Sequence, residues 1–304
     1  MWQPEPDWEQ IPGGGGACTV GVWRTRAEGR TWVVKRVRAP APGDDPELSD
    51  PGRPAYWHRE AEVAQALRAS TGLVPPAVRR LEEDPDGFTL WTEAFPRDVL
   101  PALFVARALG RFAETTVPSE VSAVRSLLHE RFGRAEARGG WPTLRRTPVA
   151  ALTDTVWGAR AALLTRFEGL PVVPAHGDVV PANLLTRQGD DVITVDWGLL
   201  GLAPAGADLG YFALSCRDGF DVLLEGYCTA LAEVGVPVDV EDVAFAARLV
   251  AVHTVLARAE WALTRVARGE GPLEAKFRHP AVAPHLRALQ RQLPQVEALL
   301  SVVP

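Results

Sequence analysis

Between two long stretches of helical periodicity lies a segment that cannot be helical. Within residues 172–197, two apolar runs, Asn183-Leu184-Leu185-Thr186 and Val192-Ile193-Thr194-Val195, flank a Gln188-Gly189-Asp190 turn, which is the pattern of a β-hairpin. An antiparallel register centred on Gly189-Asp190 sets Thr186 opposite Ile193 and Asn183 opposite Asp196. The turn then brings an amide oxygen and a carboxylate to the open end of the hairpin, with Asp178 on the irregular loop just before it. Two hard oxygen donors at a strand end suit Mg²⁺, which takes few protein ligands and completes its shell with substrate phosphates. A second carboxylate one loop away can orient or deprotonate an attacking hydroxyl.

The texture of the chain changes near residue 95. Before it, β-branched and aromatic runs at 18–23 and 31–37 surround a Glu28-Gly29 turn and predict a second hairpin. A Pro/Gly/Asp loop over 39–55, a helix over 56–69 and two short strands near Val78 and over 88–91 follow. Beyond Phe95-Pro96, helical patterns cover 101–114, 121–138, 153–168, 221–234, 239–268 and 284–300. Asp239, with Asp242 three residues on, marks the start of the longest helix. The plan is α+β and bilobal: a small β-rich lobe over 1–95 and a larger helical lobe over 96–304 that carries the hairpin island.

Composition narrows the function classes. A net charge of −6 argues against a phosphate-neutralising nucleic-acid binder and mildly favours a cationic ligand. Three cysteines without a CxxC pair exclude a disulfide framework or a cysteine metal cluster and fit a reducing cytoplasm. The acidic start Met1–Asp7 has no apolar run of the kind a secretory signal needs. The most apolar long stretch, 243–267, is broken by Arg248, His253, Arg258 and Glu260, so it reads as a packed helix and no membrane partner is expected. On that helix Glu260 and Trp261 are candidates for an acceptor pocket, although a tryptophan at helical spacing is more often core.

Only two lysines occur, Lys35 and Lys276, among 32 basic residues, so a lysine here has a specific reason to be one. Lys35 shares a strand face with Val33 and Val37 and needs an anionic partner there. On the following helix Tyr56, Glu60, Val63 and Leu67 fall on one stripe, which selects Glu60 over Glu62 as that partner. The glycine run 13–16 can cover phosphates with its backbone N–H groups or serve as a flexible leader.

His176-Gly177-Asp178, Asn183 five residues later and Asp196-Trp197-Gly198 ending a strand resemble the aminoglycoside phosphotransferase and choline kinase family of kinase-like enzymes. The resemblance runs through nearly the whole chain in order. It implies Asp178 as catalytic base, Asn183 and Asp196 as Mg²⁺ ligands, Lys35 on the α- and β-phosphates and Glu60 as its partner. Gly14, Gly15 and Gly16 would lie over the phosphates, and Glu93 and Phe95 in the hinge 92–97 would face the base. The cofactors implied are ATP, with GTP an open alternative, and Mg²⁺. The partner implied is a small molecule with a hydroxyl acceptor, aminoglycoside-like or another amino or sugar alcohol, while the oligomeric state stays open. The hinge lacks the glycine that many relatives carry. This is the one feature that favours a rival, a non-catalytic nucleotide-binding or scaffold protein on the same fold. A protein kinase fits less well, because Asp208 comes only 12 positions after Asp196.

Overall fold

The alternation read from residues 19–37 becomes an antiparallel hairpin in a computed structural model of the protein, which describes residues 2–12, 15–67, 69–267 and 272–301. A short strand β1 (Glu9–Gln10) lies beside β2 (Thr19–Ala27), which pairs with β3 (Arg30–Arg38) so that Val22 faces Lys35. Glu28 and Gly29 both take positive φ, 55° and 72°, the backbone twist that a two-residue hairpin demands. The helix α1 (Arg59–Ala66) follows, then β4 (Leu73–Val74), β5 (Val78–Asp84) and β6 (Gly87–Glu93). The first sheet has the order β1-β2-β3-β6-β5.

Its two faces are buried by different partners. Trp32, Val34 and Trp91 pack on one face beneath Trp8. On the other, Val37, Phe88 and Leu90 pack against Leu48 and Ala61, the latter from α1. The loop expected over 39–55 is organised from within: Asp44 pairs with Arg38, and Asp45 caps a single 3₁₀ turn at Pro46–Ser49.

After α2 (Ala102–Phe112) the chain forms α3 (Leu127–Glu136) and α4 (Ala150–Glu168), and β7 (Val172–Ala175) leads to the expected island. There β8 (Leu184–Gln188) and β9 (Asp191–Thr194) form the hairpin, and β4 runs parallel to β9 with Leu73 opposite Val192. That parallel pairing joins β4 and the island within one compact unit. The first unit runs from Met1 to Arg125 and takes in Pro174–Leu202 and Thr229–Val236. Close approach inside it is set by Gly72, where a Cβ would stand 2.0 Å from the Ala108 carbonyl oxygen of α2.

The second unit comprises Ser126–Val173, Ala203–Cys228 and Pro237–Pro304. Its helices are α3, α4, α5 (Ala207–Ala213), α6 (Phe220–Glu233, up to Cys228), α7 (Val240–Ala267), α8 (Ala283–Arg291) and α9 (Leu293–Leu300). The core is built around α7, with Leu249, Val252, Leu256 and Leu263 almost fully buried. Asp239 caps α7 as expected, accepting the Glu241 N–H at 2.7 Å. Two expectations change. Residues 121–126 stay out of the helix, and Val124 bridges Gly201 instead. The single helix expected over 284–300 breaks at Gln292, two residues before Pro294, which has no N–H to continue the ladder. Among the described residues no helix is long and apolar enough to cross a membrane.

One titratable group lies at the centre of the second unit's core. His253 is 3% exposed and packs on Phe132, with ring centroids 4.3 Å apart. Burial, helped by the Arg131 charge, pushes its pKa down to about 3. The folded protein therefore holds this imidazole neutral, whereas the unfolded chain protonates it near pH 6.5. Stability present above that pH is lost as pH falls towards 3, with a slope of up to ~1.4 kcal/mol per pH unit from this group. Urea melts between about pH 7 and pH 4 should show a shallower acid limb in His253→Phe than in the wild type; identical limbs would contradict this.

Candidate active site

Three side chains chosen from the sequence meet in the first unit. Lys35 on β3 places Nζ 2.7 Å from Glu60 Oε2 and 2.5 Å from Asp196 Oδ1. The lysine and glutamate side chains are 14% and 13% exposed, whereas Asp196 is 45% exposed, so the cluster is closed on one side and open on the other. Burial disfavours the Lys35 charge, but the carboxylates of Glu60 and Asp196 more than offset it and hold its pKa above the usual lysine range. The helix is shorter than the 56–69 expected, with Tyr56 before its start and Leu67 as its C-cap, but Glu60 and the buried Val63 lie on it and Leu67 is buried as the stripe implies. Glu62 turns elsewhere and accepts the Ser122 N–H at 2.8 Å.

Asp196 follows β9 with φ 63° and ψ 57°, a left-handed conformation that costs a non-glycine residue ~1 kcal/mol or more. Its neighbours hold it there. Trp197 Nε1 donates to the Thr194 carbonyl at 2.8 Å, and His176 Nε2 lies 3.0 Å from the Val195 carbonyl. Because the Asp178 N–H donates to His176 Nδ1 at 3.3 Å, the imidazole is the neutral tautomer with its proton on Nε2. His176 is fully buried with its ring 4.7 Å from Trp197, so its role is to join the Asp178 loop to the Asp196 turn.

Asn183 completes that loop. Its Nδ2 donates to the Asp178 backbone carbonyl at 2.9 Å and to Asp178 Oδ2 at 3.0 Å. Two oxygen acceptors require the NH₂ group, which fixes the amide's orientation and turns Oδ1 away from Asp178. The hairpin register needs one correction. Thr186 faces Ile193 as expected, but a bulge then sets Leu184 opposite Thr194, and the Asn183 carbonyl accepts from Val195 N at 3.0 Å. Asn183 is thus level with Val195, not with Asp196. The bulge frees the Leu185 carbonyl, which accepts the Asp98 N–H at 2.7 Å, and Thr186 Oγ1 donates to the Asp98 carboxylate. Asp98 was not foreseen, because the slip has a long-range partner as its cause.

The remaining described sequence candidates make no hydrogen bond or ion pair with this cluster. Gly14 falls outside the described residues. Gly15 and Gly16 are exposed in the connection between β1 and β2, where Ile11 N donates to the Val22 carbonyl at 2.8 Å, so these two glycines lie between paired strands. Glu93 closes β6 and donates its N–H to the Ala77 carbonyl, and the Ala94 N–H goes to Thr31. Among the described residues the Phe95 N–H has no backbone acceptor. No hydrogen bond or ion pair links Glu93 or Phe95 to Lys35, Glu60 or Asp196. In the second unit, Glu260 accepts the N–H groups of Thr143 and Leu144 and the Thr264 hydroxyl, so it caps a 3₁₀ turn and is not open to a ligand. Trp261 is 53% exposed, contrary to the core position expected of it.

Among the described residues no three His, Cys, Asp or Glu side chains converge as a metal cage. The donors on offer are the open Asp196 carboxylate and the oriented Asn183 amide oxygen. Such a sparse all-oxygen pair fits Mg²⁺ carried in with nucleotide phosphates, which supply the rest of its shell.

Residues 8–239 match the sequence model of the phosphotransferase enzyme family. Three solved structures resemble the chain over nearly their whole length. One is wild-type aminoglycoside 2′-phosphotransferase-IIIa in its GDP complex, 13% identical, covering 96% of this chain and 93% of that one with a TM-score of 0.59. The macrolide 2′-phosphotransferase apoenzyme of Brachybacterium faecium is 17% identical, covers 96% and 93%, and has a TM-score of 0.54. An aminoglycoside phosphotransferase from Alicyclobacillus acidocaldarius is 18% identical, covers 98% and 92%, and has a TM-score of 0.51. At these identities the likeness is one of fold, the α+β fold of kinase-like phosphotransferases. No match was found among curated proteins.

The cluster makes a stability prediction independent of any ligand. Lys35→Met leaves the half-buried Glu60 carboxylate without its ammonium, which should cost ~1–3 kcal/mol in urea melts at neutral pH. The loss should shrink in acid, where a carboxylate can take up a proton; equal stability of variant and wild type at neutral pH would contradict the geometry.

Proposed function

The chain belongs to the phosphotransferase enzyme family, and from that premise we propose that it moves the γ-phosphoryl group of ATP to a hydroxyl of a small molecule. The observation that carries this reading is the meeting of Lys35, Glu60 and Asp196, with Val195 tied to the loop that holds Asp178 and Asn183. Residues 1–95 are read as the nucleotide-binding lobe and 96–304 as the catalytic and acceptor lobe.

In this reading Lys35, held by Glu60, points its ammonium at the α- and β-phosphates. Gly14, Gly15 and Gly16 would lie over the phosphates, and the hinge at Glu93 and Phe95 would face the base, where the Phe95 N–H, without a backbone acceptor among the described residues, is a donor for a ring nitrogen. Asp196 and Asn183 would hold Mg²⁺, which would supply positive charge against the nucleotide phosphates. Asp178, with one carboxylate oxygen already accepting from Asn183, orients the acceptor hydroxyl and takes its proton. The bond between the γ-phosphorus and the bridging oxygen breaks as the bond to the acceptor oxygen forms, and ADP leaves. Most of the rate enhancement comes from alignment and charge.

The related structures are named for aminoglycoside and macrolide acceptors and one for a GDP complex, which supports a sugar or amino-alcohol hydroxyl as acceptor and keeps GTP beside ATP as donor. The net charge of −6 favours a cationic acceptor.

A panel of aminoglycosides, macrolides and amino alcohols, incubated with ATP or GTP and Mg²⁺ and followed by mass spectrometry, should reveal a product heavier by one phosphoryl group. Asp178→Asn should lower turnover of that acceptor by ~10²–10⁴-fold while still binding ATP. Turnover retained in Asp178→Asn would overturn the assignment of the base.

A further inference from the structure

Arg59 is fully buried, opens α1 and immediately precedes Glu60, yet the proposed chemistry has no use for it. A guanidinium has five N–H bonds, and here all five meet main-chain carbonyls. Nε donates to Ser122; Nη1 to Pro54 at 3.1 Å and Gly198 at 2.8 Å; Nη2 to Pro51 at 3.0 Å and Arg53 at 2.7 Å. Removing a charge from water costs several kcal/mol unless its hydrogen bonds are fully replaced. A hydrocarbon of similar size would fill the same space at less cost, so packing alone does not account for an arginine here.

What the five bonds join is informative. Pro51, Arg53 and Pro54 belong to the segment that feeds α1, and Gly198 stands two residues after Asp196. Ser122 is held from two sides, since Glu62 on α1 also accepts its N–H at 2.8 Å and its hydroxyl at 3.2 Å. Two residues on, Val124 accepts the Leu202 N–H at 2.7 Å and donates to Leu200 at 3.1 Å. The first turn of α1 and the turn after Asp196 are therefore bolted to each other by Arg59 and to the 122–124 segment by Arg59, Glu62 and Val124. Glu60 is the covalent neighbour of Arg59, and Asp196 is two residues from its Gly198 contact. These are the two carboxylates that Lys35 bridges.

We infer that Arg59 is a positioning residue for the nucleotide site: it sets the separation of Glu60 and Asp196, and through it the aim of Lys35 and of the open Asp196 oxygen. Lysine cannot replace it, because an ammonium has three donors and no planar fork to reach carbonyls on three segments.

This inference rests on reading the cluster as a magnesium–nucleotide site, and one experiment separates the two. ATP and GTP are titrated by calorimetry with and without magnesium chloride into wild type, Arg59→Lys and Glu62→Gln, with thermal melts to establish folding. A folded wild type that binds neither nucleotide overturns the reading of the site, and this inference with it. Where wild type shows a gain in affinity from magnesium, folded Arg59→Lys should lose ~10–100-fold of that gain, the loss typical of removing a group that orients a metal ligand. A role in stability alone would lower the melting temperature and leave the gain intact, which would overturn the inference but not the function. Should Arg59→Lys fail to fold, Glu62→Gln carries the test, because it weakens the Ser122 contact, along with the Glu62 contacts to His58 and Tyr56, and leaves all five Arg59 bonds in place. It should lose part of the gain, ~10-fold or less, and an unchanged gain would count against the inference.

Discussion

One ammonium group between two carboxylates fixes the relation of chain segments that are far apart in sequence. Lys35 belongs to a strand of the first hairpin, Glu60 to the next helix, and Asp196 lies 161 residues beyond the lysine. Each segment has its own local reason to exist, but none of those reasons sets the distances between them. Burial alone would push Lys35 towards its neutral form; two carboxylates within 2.7 Å keep it charged. The open flank of Asp196 then leaves a negative edge facing outward, the side on which positive charge from a metal would be welcome.

That arrangement tolerates strain because the strain is over-determined. A left-handed aspartate persists only where its surroundings leave it no better conformation. Here the residue before it is bonded to the His176 ring, the residue after it anchors its indole to Thr194, and its own carboxylate is held by Lys35. His176 serves two segments at once: one ring nitrogen takes the Asp178 N–H, and the other gives its proton to Val195. The loop that would handle the acceptor's proton and the turn that would hold the metal are thus tied through a single neutral imidazole.

Local patterning was legible where a period of two or of 3.6 decides which way a side chain points. It put Lys35 and Val37 on the α1 face of β3, chose Glu60 over Glu62, and matched Thr186 with Ile193. It failed where a distant partner decides. Nothing in Leu184-Leu185-Thr186 announces a bulge, whose carbonyl is used by Asp98 from another segment. Residues 121–126 have helical character by themselves and are held out of the helix by Glu62 and Gly201. Arg59 gave no signal at all, because a buried arginine is recognised only by the carbonyls that surround it. Gly15 and Gly16 were ambiguous in the sequence because only the long-range pairing of β1 with β2 places them between strands.

The central claim is that the Lys35–Glu60–Asp196 cluster is a nucleotide site that works with magnesium. The most direct test is calorimetric titration of ATP into the wild type and Asp196→Ala, each with and without magnesium. The account predicts one-to-one binding that magnesium tightens in the wild type and that magnesium no longer tightens in the variant. A wild type that binds neither ATP nor GTP under either condition, or an Asp196→Ala protein whose response to magnesium is unchanged, would contradict it.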